Sequence, residues 1–237
     1  MTRDGSGTIA LVGSGEFTHA TEGVDLALLE GRPRRAVFLP TAAAPEGATT
    51  ISYWVELGRT HYRHLDVDAV PLLVLNREDA DREDLAAEVA SAGLVYLSGG
   101  DPSFLATTLV GSRVGTAIEE AWRAGVSVAG CSAGAIALTE EVPDIRERGR
   151  PPSRGFGLVP NVVVMPHFDQ LEQWMPGVTQ WALDALPDGK HLIGIEEDTA
   201  LVGGPHQWRV IGRGRVWNLH RDGRHIGHEA GETLEIV

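Results

Sequence analysis

The chain has 237 residues, 43% of them hydrophobic, and a formal net charge of −13 at pH 7. This length can bury one large core, so we predict a single α/β domain over 1–237 with 1–7 as a frayed end. Nucleic acid and anionic membranes favour basic surfaces, so the charge argues against both as partners. A single cysteine, Cys131, excludes an internal disulfide framework, and the polar N-terminus lacks the apolar core of a signal peptide. These features predict a cytoplasmic protein.

Short apolar runs alternate with helical patterns along the first half of the chain. Strands are predicted over 8–12, 35–40, 67–75 and 93–98, and helices over 22–30, 49–65, 81–92, 103–109 and 114–124. Strands that alternate with helical segments of about a dozen residues indicate βαβ units. We therefore predict a flavodoxin-like, mostly parallel sheet with helices on both faces.

The segment 127–138 carries the strongest catalytic pattern. Small and β-branched residues lead into Gly-x-Ser-x-Gly (Gly130, Ser132, Gly134), and an Ala-Ile-Ala-Leu run follows. Strand, sharp turn and helix in this order are typical of a nucleophile elbow, in which glycines let neighbouring backbone approach a strained turn. Ser132 is therefore a candidate nucleophile. The alternative is a tightly packed turn without a chemical role.

Glycine loops follow two other predicted strands. Gly13-Ser14-Gly15-Glu16 follows the first strand, and Gly99-Gly100-Asp101 follows the fourth. Because Thr18 stands where a third glycine would be needed, the first loop lacks the dinucleotide-binding fingerprint. Loops at the carboxyl ends of parallel strands line one crevice, so we expect both loops and Ser132 at the same edge of the sheet.

The composition changes over 140–157, which is charged and interrupted by prolines and glycines. This pattern is typical of a solvated surface loop, and its position after the elbow also fits a substrate loop or lid. Its arginines are candidate partners for a substrate carboxylate. They are Arg146, Arg148, Arg150 and Arg154.

A β-branched strand over 159–165 ends at Pro166-His167. A histidine directly after a buried strand lies at the carboxyl edge, where a general base for Ser132 is required. The other histidines lie in helical or late polar stretches or, for His191, before a strand, so His167 is the candidate base. A helix is predicted over 171–186, with Trp174 and Trp181 on one face and directed into the core.

Two short strands, 192–195 and 199–202, enclose Glu196, Glu197 and Asp198. This acidic trio is either a turn or the source of an acid that orients the base. Farther on, 208–217 alternates around Gly-Arg-Gly and predicts an antiparallel hairpin at the edge of the sheet.

Four segments together resemble the serine peptidase family that contains dipeptidase E, an aspartyl dipeptidase, and cyanophycinase. They are Gly99-Gly100-Asp101, Gly130-Cys131-Ser132-Ala133-Gly134-Ala135, Pro166-His167-Phe168 and Gly194-Ile195-Glu196-Glu197-Asp198-Thr199-Ala200. They occur in the family's order and approximate spacing, from the first strand to Trp217. The resemblance implies a fold related to class I glutamine amidotransferases, with serine in place of their nucleophilic cysteine.

The resemblance also implies roles for individual residues. It assigns Ser132 as the nucleophile, His167 as the base, and the N–H groups of Gly100 and Ala133 as the oxyanion hole. Glu197 falls on the triad-associated glutamate of cyanophycinase-like members. The alternative acids are Asp144 and Asp169, and the candidate substrate-binding residues are Asp101, Arg146 and Arg148.

Two departures from the family pattern favour its dipeptidase branch. Pro102 follows Asp101 where cyanophycinases usually have glutamine, and Met165-Pro166 precedes His167 where they have Asp-Gln. A cysteine nucleophile would instead indicate an amidotransferase-like reaction. Because the glycine spacing of the elbow centres on Ser132, we predict that Cys131 is a small buried residue.

The sequence thus predicts a serine hydrolase that cleaves a peptide or amide bond in a small peptide, with an aspartyl dipeptidase-like preference. The alternatives are a cyanophycinase-like or isoaspartyl peptide hydrolase, and a catalytically silent amidotransferase-like protein that binds a ligand. No metal or cofactor is expected. We expect a monomer or a homodimer.

Overall fold

The computed structural model describes residues 5–144, 151–204 and 206–236. In chain order, the strands are β1 (Ile9–Val12), β2 (Arg35–Leu39), β3 (Asp68–Pro71), β4 (Leu94–Leu97), β5 (Ser127–Cys131), β6 (Glu141–Val142), β7 (Ser153–Arg154), β8 (Val162–Met165), β9 (His191–Ile195), β10 (Thr199–Gly203), β11 (Gln207–Gly212), β12 (Val216–Leu219), β13 (His225–His228) and β14 (Thr233–Glu235). The helices are α1 (Glu22–Leu29), α2 (Ala48–His64), α3 (Arg77–Ala80), α4 (Glu83–Val89), α5 (Pro102–Leu109), α6 (Arg113–Arg123), α7 (Ala133–Ala137), α8 (Phe168–Trp174) and α9 (Val178–Ala185). A 3-10 helix spans Thr41–Glu46.

Eight strands form the larger sheet, in the order β14-β11-β10-β1-β5-β4-β2-β3. The strands from β1 to β3 in this order pair in parallel, whereas β10, β11 and β14 form antiparallel pairs at one side. Strands β1, β4 and β5 are buried along their whole length, as expected for a parallel sheet that is covered on both faces. The predicted mostly parallel α/β fold is confirmed.

Helices cover both faces of the larger sheet. Alternate residues of β1 point to opposite faces, so Leu11 belongs to one apolar core and Val12 to the other. The first core includes Ile118 of α6. The second includes Leu28 of α1 and Tyr62 of α2.

A smaller sheet, which was not predicted, has the strand order β13-β12-β9-β8. Strands β8 and β9 are parallel, whereas β12 is antiparallel to β9 and β13. Met165 and Leu192 of this sheet pack with Val178 and Leu183 of α9 in a separate apolar cluster. Since β9 lies in the smaller sheet and β10 in the larger one, residues 196–198 connect the two sheets.

The antiparallel hairpin predicted over 208–217 is wrong in its pairing. Strand β11 pairs with β10 and β14, whereas β12 pairs with β9 and β13. The antiparallel hairpins of the C-terminal part are therefore β10 with β11 and β12 with β13. Alternation identifies a half-buried strand but not its partner, because any neighbouring strand presents the same backbone groups.

The single helix predicted over 171–186 is interrupted between α8 and α9. Gly177 has a φ of 77°, and Pro176 disfavours a helical conformation at the residue before it. Trp174 and Trp181 consequently lie on different helices. Trp181 packs partly buried against the cluster of the smaller sheet, whereas Trp174 is 58% exposed, so its predicted place in the core is wrong.

Other differences concern the ends of elements. The helix predicted over 81–92 is represented by α4, which is shorter, with α3 just before it, and the strand predicted over 67–75 is limited to β3. The 3-10 helix was not predicted. The charged segment 140–157 contains the short antiparallel pair of β6 and β7.

No helix in the described ranges is long and apolar enough to cross a membrane.

Candidate active site

Ser132 lies in the sharp turn between β5 and α7. Its φ of 50° and ψ of −107° are unusual for a residue with a side chain and fit the strained turn of a nucleophile elbow. Its N–H donates to the carbonyl of Val12 at 2.9 Å, which fixes the turn against the end of β1. At Gly134 a Cβ would lie 2.2 Å from the carbonyl oxygen of Leu97, so close packing of α7 on β4 requires this glycine.

His167 reaches Ser132 from the smaller sheet. It follows β8 with a φ of 53° and immediately precedes α8. Its Nε2 lies 2.9 Å from Oγ of Ser132. The side chain of His167 is 24% exposed, so part of the imidazole remains accessible.

Glu197 contacts the other ring nitrogen of His167. Its Oε1 lies 2.9 Å from Nδ1. A carboxylate at Nδ1 favours the tautomer with a proton on that nitrogen and leaves Nε2 able to accept one. Glu197 is therefore the acid that the structure brings onto the imidazole.

The two alternative acids lie elsewhere. Asp169 accepts a hydrogen bond from the backbone N–H of Glu197 at 2.9 Å, so it holds the turn that carries Glu197. Asp144 lies on the wall of the adjoining cavity.

The remaining members of the acidic trio stabilise the junction of the two sheets. Glu196 accepts hydrogen bonds from the Arg215 N–H and the Trp217 indole, each at 2.8 Å. Asp198 has a φ of 54° and lies 3.6 Å from the guanidinium of Arg213. The trio is thus both a turn and the source of the acid on the imidazole.

Gly100 and Ala133 line the same cavity as Ser132 and His167. Ala133 is the first residue of α7, where a backbone N–H has no acceptor within the helix. Gly100 has a φ of 138°, and a Cβ there would lie 2.4 Å from the carbonyl of Ala42. Asp101 accepts a hydrogen bond from the Phe104 N–H at 2.9 Å and so caps α5, while its role in substrate binding stays a prediction.

A buried carboxylate joins the loops that follow β1 and β4 to the last residue of β5. Glu16 is 6% exposed, and its Oε1 accepts the N–H of Gly99 at 2.9 Å. The thiol of Cys131 lies 2.8 Å from Oε2 of the same side chain. Sequence reasoning did not single out Glu16, although a lone carboxylate in a glycine loop at the carboxyl edge of a strand is a usable signal.

Cys131 is fully buried, as predicted. Burial, reinforced by the neighbouring Glu16 carboxylate, raises the pKa of its thiol well above the ordinary value. The thiolate is the nucleophilic form of cysteine, so this environment disfavours an amidotransferase-like role for Cys131.

A cavity of about 590 Å³ opens beside Ser132 and His167. Much of its wall is apolar and comes from β8, α8 and α9, including Val163, Leu171 and Val178. The Trp174 ring lies on this wall with its centroid 5.4 Å from that of the His167 ring. Trp174 is a residue of the site that the sequence analysis assigned to the core.

Of the four candidate arginines of the charged segment, the structure describes Arg154. Arg146, Arg148 and Arg150 lie outside the described residues, and Arg154 is exposed on β7.

Within residues 5–144, 151–204 and 206–236, no three His, Cys, Asp or Glu side chains converge as a metal site.

An elbow serine at the end of a central parallel strand, hydrogen-bonded to a histidine that contacts a carboxylate, is the arrangement of the serine hydrolases on α/β folds. The sequence model of Peptidase family S51 matches residues 7–211. The chain belongs to this peptidase family, as the four motifs indicated.

Two cyanophycinases are among its relatives. The protein from Trichormus variabilis is 29% identical over 205 residues, which cover 80% of this chain and 65% of that protein. The protein from Synechococcus elongatus is 30% identical over 165 residues, which cover 65% of this chain and 50% of that protein. The chain therefore matches only part of the length of these relatives.

Two solved structures are similar over nearly the whole chain. A crystal structure of a peptidase from an acI-B1 actinobacterium has a TM-score of 0.90 and 38% sequence identity, and the match covers 98% of this chain and 97% of that one. A candidate peptidase E protein from Listeria monocytogenes has a TM-score of 0.62 at 17% identity, with 98% and 100% of the two chains covered. The second likeness shows the fold alone.

Proposed function

We propose that this chain is a serine peptidase that cleaves an amide bond in a short peptide. The observation that carries the proposal is a pair of side-chain contacts. Ser132 contacts His167 and His167 contacts Glu197, each at 2.9 Å. Membership of a peptidase family supports the same reaction class.

In the acylation step, Ser132 Oγ attacks the substrate carbonyl carbon while Nε2 of His167 takes the hydroxyl proton. Negative charge develops on the carbonyl oxygen, and the N–H groups of Gly100 and Ala133 donate to it. Loss of one such donor typically costs about 3–4 kcal/mol of transition-state stabilisation. Glu197 stabilises the imidazolium that forms.

The tetrahedral intermediate collapses by breaking the carbon–nitrogen bond, and the imidazolium returns its proton to the departing amine. An acyl ester on Ser132 remains. In the second half of the reaction a water molecule gives a proton to Nε2 and attacks the ester carbon. Collapse of this second intermediate releases the acid and restores the Ser132 hydroxyl, so protons balance over the cycle.

The volume of the cavity supports a short peptide as the substrate. The cavity of about 590 Å³ lies in the range of about 300–1,000 Å³ that small-molecule sites occupy. An aspartyl dipeptidase-like preference is the first choice from the motifs. The names of the relatives in Trichormus and Synechococcus keep cyanophycinase-like hydrolysis as an alternative. An isoaspartyl peptide hydrolase is the other alternative and comes from the sequence motifs.

We also propose a cytoplasmic location for the enzyme. A free, buried thiol at Cys131 suits a reducing cytoplasm, and the net charge of −13 disfavours nucleic acid as a partner. We therefore propose a small peptide, rather than nucleic acid or a membrane, as the binding partner of the site.

A fluorophosphonate probe tests the nucleophile directly. The parent protein should be labelled at Ser132, while Ser132→Ala should remain unlabelled and His167→Ala should label far more slowly. Circular dichroism of each variant checks that the fold is retained. A folded Ser132→Ala protein with parental turnover would contradict the assignment.

A panel of Asp-X, β-Asp-X, Glu-X and Ala-X dipeptides tests the acyl-side preference. Faster cleavage of Asp-X supports the aspartyl dipeptidase-like activity, and faster cleavage of β-Asp-X supports the isoaspartyl alternative. Labelling without cleavage of any member would indicate a serine hydrolase with a different substrate. Absence of labelling would favour the silent, ligand-binding alternative.

A further inference from the structure

Glu16 is a buried side chain that contacts two segments of the candidate active site. Its Oε1 accepts the Gly99 N–H at 2.9 Å, and its Oε2 lies 2.8 Å from the sulfur of Cys131. Gly99 precedes Gly100, whose N–H belongs to the proposed oxyanion hole. Cys131 precedes Ser132, the proposed nucleophile. One carboxylate thus touches the residue before each of these two groups.

Gly99 is packed close to both the carboxylate and the nucleophile. A Cβ at this position would lie 2.9 Å from Oε1 of Glu16 and 3.5 Å from the Cβ of Ser132. A side chain at Gly99 would therefore require the Glu16 carboxylate to shift. This close packing means that a displacement of Glu16 also displaces the backbone beside Ser132.

The backbone on either side of the Gly100 N–H is fixed by hydrogen bonds. The Asp101 N–H donates to the carbonyl of Ala42 at 2.8 Å, and the Gly99 N–H donates to Glu16. In the part of the chain that the structure describes, the Gly100 N–H itself has no acceptor. It is therefore available to a substrate oxygen, and the hydrogen bonds of its two neighbours determine where it points.

The contacts of Glu16 distinguish it from a buried member of an ion pair. Burial of a carboxylate is costly unless hydrogen bonds or an opposite charge compensate. No cationic side chain among the described residues pairs with Glu16, and its two oxygens contact the Gly99 N–H and the Cys131 thiol. An apolar side chain here would avoid the cost of burial but would leave the Gly99 N–H without an acceptor. The carboxylate therefore serves the backbone of the site.

We propose that Glu16 is a positioning residue, which holds the oxyanion-hole loop and the nucleophile turn in the relative placement that the reaction requires. The Gly100 N–H and the Ser132 Oγ must meet the same carbonyl group, one at its oxygen and the other at its carbon. A misplacement of about 1 Å in such a site can cost about 10²-fold in rate. This inference rests on the proposed peptidase function and deepens it, because it adds a residue that acts through the backbone.

Two substitutions separate the reach of the Glu16 side chain from its charge. Glu16→Gln removes the charge but keeps the length and an oxygen that can accept the Gly99 N–H. Glu16→Asp keeps the charge but is one methylene shorter, so its carboxylate withdraws from Gly99. We expect kcat to stay within about tenfold of the parent in Glu16→Gln and to fall about 10²-fold in Glu16→Asp. The reverse order would show that charge, and not position, is what matters, and would overturn the proposal.

The loss should appear in the transition state and not in substrate binding. The dipeptide Kd, measured by calorimetry, should agree within about threefold between Ser132→Ala and the double variant Ser132→Ala/Glu16→Asp. A peptide aldehyde adds to Ser132 Oγ and places its oxygen in the oxyanion hole, so it should bind about 10²-fold more weakly to Glu16→Asp than to the parent. A substrate Kd that rises as much as kcat falls would mean a general change of the pocket and would contradict the positioning role.

Ser127→Ala is the matched control for the loss of a buried hydrogen bond. Ser127 is fully buried at the other end of β5, and its hydroxyl donates to the carbonyl of Leu28 at 2.7 Å. We expect this substitution to lower Tm by about 2–4 °C while kcat and the affinity for the aldehyde stay near the parental values. If kcat fell in proportion to Tm in the variants of both Glu16 and Ser127, the role of Glu16 would be structural only.

Fluorophosphonate labelling of the parent distinguishes failure of this inference from failure of the peptidase function. A parent that is neither labelled nor active on any dipeptide would overturn the peptidase function and the positioning role together. A labelled, active parent whose Glu16→Asp variant keeps the parental kcat would overturn the positioning role alone. If Glu16→Asp does not fold, Glu16→Met replaces it with the same expected loss, because methionine fills the space without an oxygen to accept the Gly99 N–H.

Discussion

Substitution of Glu197 tests the acid of the candidate catalytic triad. In Glu197→Gln an amide replaces the charge that would stabilise the imidazolium, and the amide group can also favour the wrong tautomer of His167. We expect kcat to fall by roughly 10²–10⁴-fold with the fold intact. Steady-state kinetics on the best dipeptide, with circular dichroism of the variant, measure this.

Asp169→Asn is the control for that substitution. Its Oδ1 can still accept the Glu197 N–H, so the turn should hold and kcat should be nearly unchanged. A large loss in Asp169→Asn together with parental activity in Glu197→Gln would mean that the orienting acid has been misassigned.

The Cys131 thiol should be unreactive in the native protein. Burial and the Glu16 carboxylate raise its pKa well above the ordinary value, so little thiolate is present at pH 8. We expect negligible reaction with a disulfide reagent such as Ellman's reagent before unfolding, and reaction of the single cysteine after addition of guanidinium chloride. Rapid release of the chromophore from the folded protein would contradict the buried position.

Some residues of the site could be predicted from the sequence and others could not. Ser132 and His167 follow strands directly, so the strand pattern alone placed both at the carboxyl edge. Glu197 required the family resemblance, because any of three nearby carboxylates satisfied the pattern. Glu16 and Trp174 were missed, since their contacts with Gly99 and His167 depend on packing between separate elements.

At the scale of elements, the turn between α8 and α9 is held by one side chain. The carboxylate of Glu172 accepts the Gly177 N–H at 2.6 Å and the Thr179 hydroxyl at 2.9 Å. The hydrogen bond from Gly177, followed by those from Thr179, lowers the pKa of Glu172 below its ordinary value of 4.5. This turn sets the position of the apolar cavity wall.

The lowered pKa predicts the direction of the pH effect. A depressed folded-state pKa contributes stability that is present above the unfolded-state value and is lost as the pH falls through the folded-state value. Amide exchange at Gly177 and Thr179 should therefore lose protection below about pH 4.5, and Glu172→Gln should show reduced protection already at neutral pH. Because Glu172 is largely exposed, solvent screening keeps the effect on global stability small.

Equal protection of these amides in Glu172→Gln and the parent at pH 7 would show that the carboxylate does not hold the turn. Gln180→Leu on the outer side of α9 serves as a control for general loosening of the helix.

The elements themselves were predicted best where pattern and length agree. The strands β1, β2, β4 and β5 and the helices α1, α2 and α6 lie close to their predicted positions because a buried strand and an amphipathic helix have distinct periods. The break at Gly177 was missed because the apolar pattern continues across it. The partners of β11 and β12 could not be read from alternation, which is shared by every half-buried strand.

On the scale of the whole molecule, the site is assembled between two sheets. Ser132 follows β5 of the larger sheet, His167 follows β8 of the smaller one, and Glu197 lies in the connection between them. The sequence predicted the parallel sheet because βαβ alternation has a local signature. The division of the C-terminal strands into two sheets depends on long-range packing, which leaves no such signature.

The net charge of the molecule predicts how salt affects substrate choice. A protein of charge −13 repels anionic peptides, and salt screens that repulsion over a distance of about 10 Å at 0.1 M. Raising the ionic strength from about 20 to about 300 mM should increase kcat/KM for an anionic dipeptide by about two- to threefold, as expected for a potential near one kT.

A neutral dipeptide with the same leaving residue is the reference. Its kcat/KM should be almost independent of salt over the same range. A decrease for the anionic dipeptide would instead mean that local positive charge at the site outweighs the field of the whole molecule.

The contact between Trp174 and His167 makes the site optically observable. The indole is exposed to solvent and lies on the imidazole, with 5.4 Å between ring centroids, so its emission senses both ring protonation and displacement of water by a ligand. The chain has six tryptophans, and the difference between the spectra of the parent and Trp174→Phe isolates this one. Stopped-flow recording of that difference under single-turnover conditions would follow binding and release in real time without any label on the peptide.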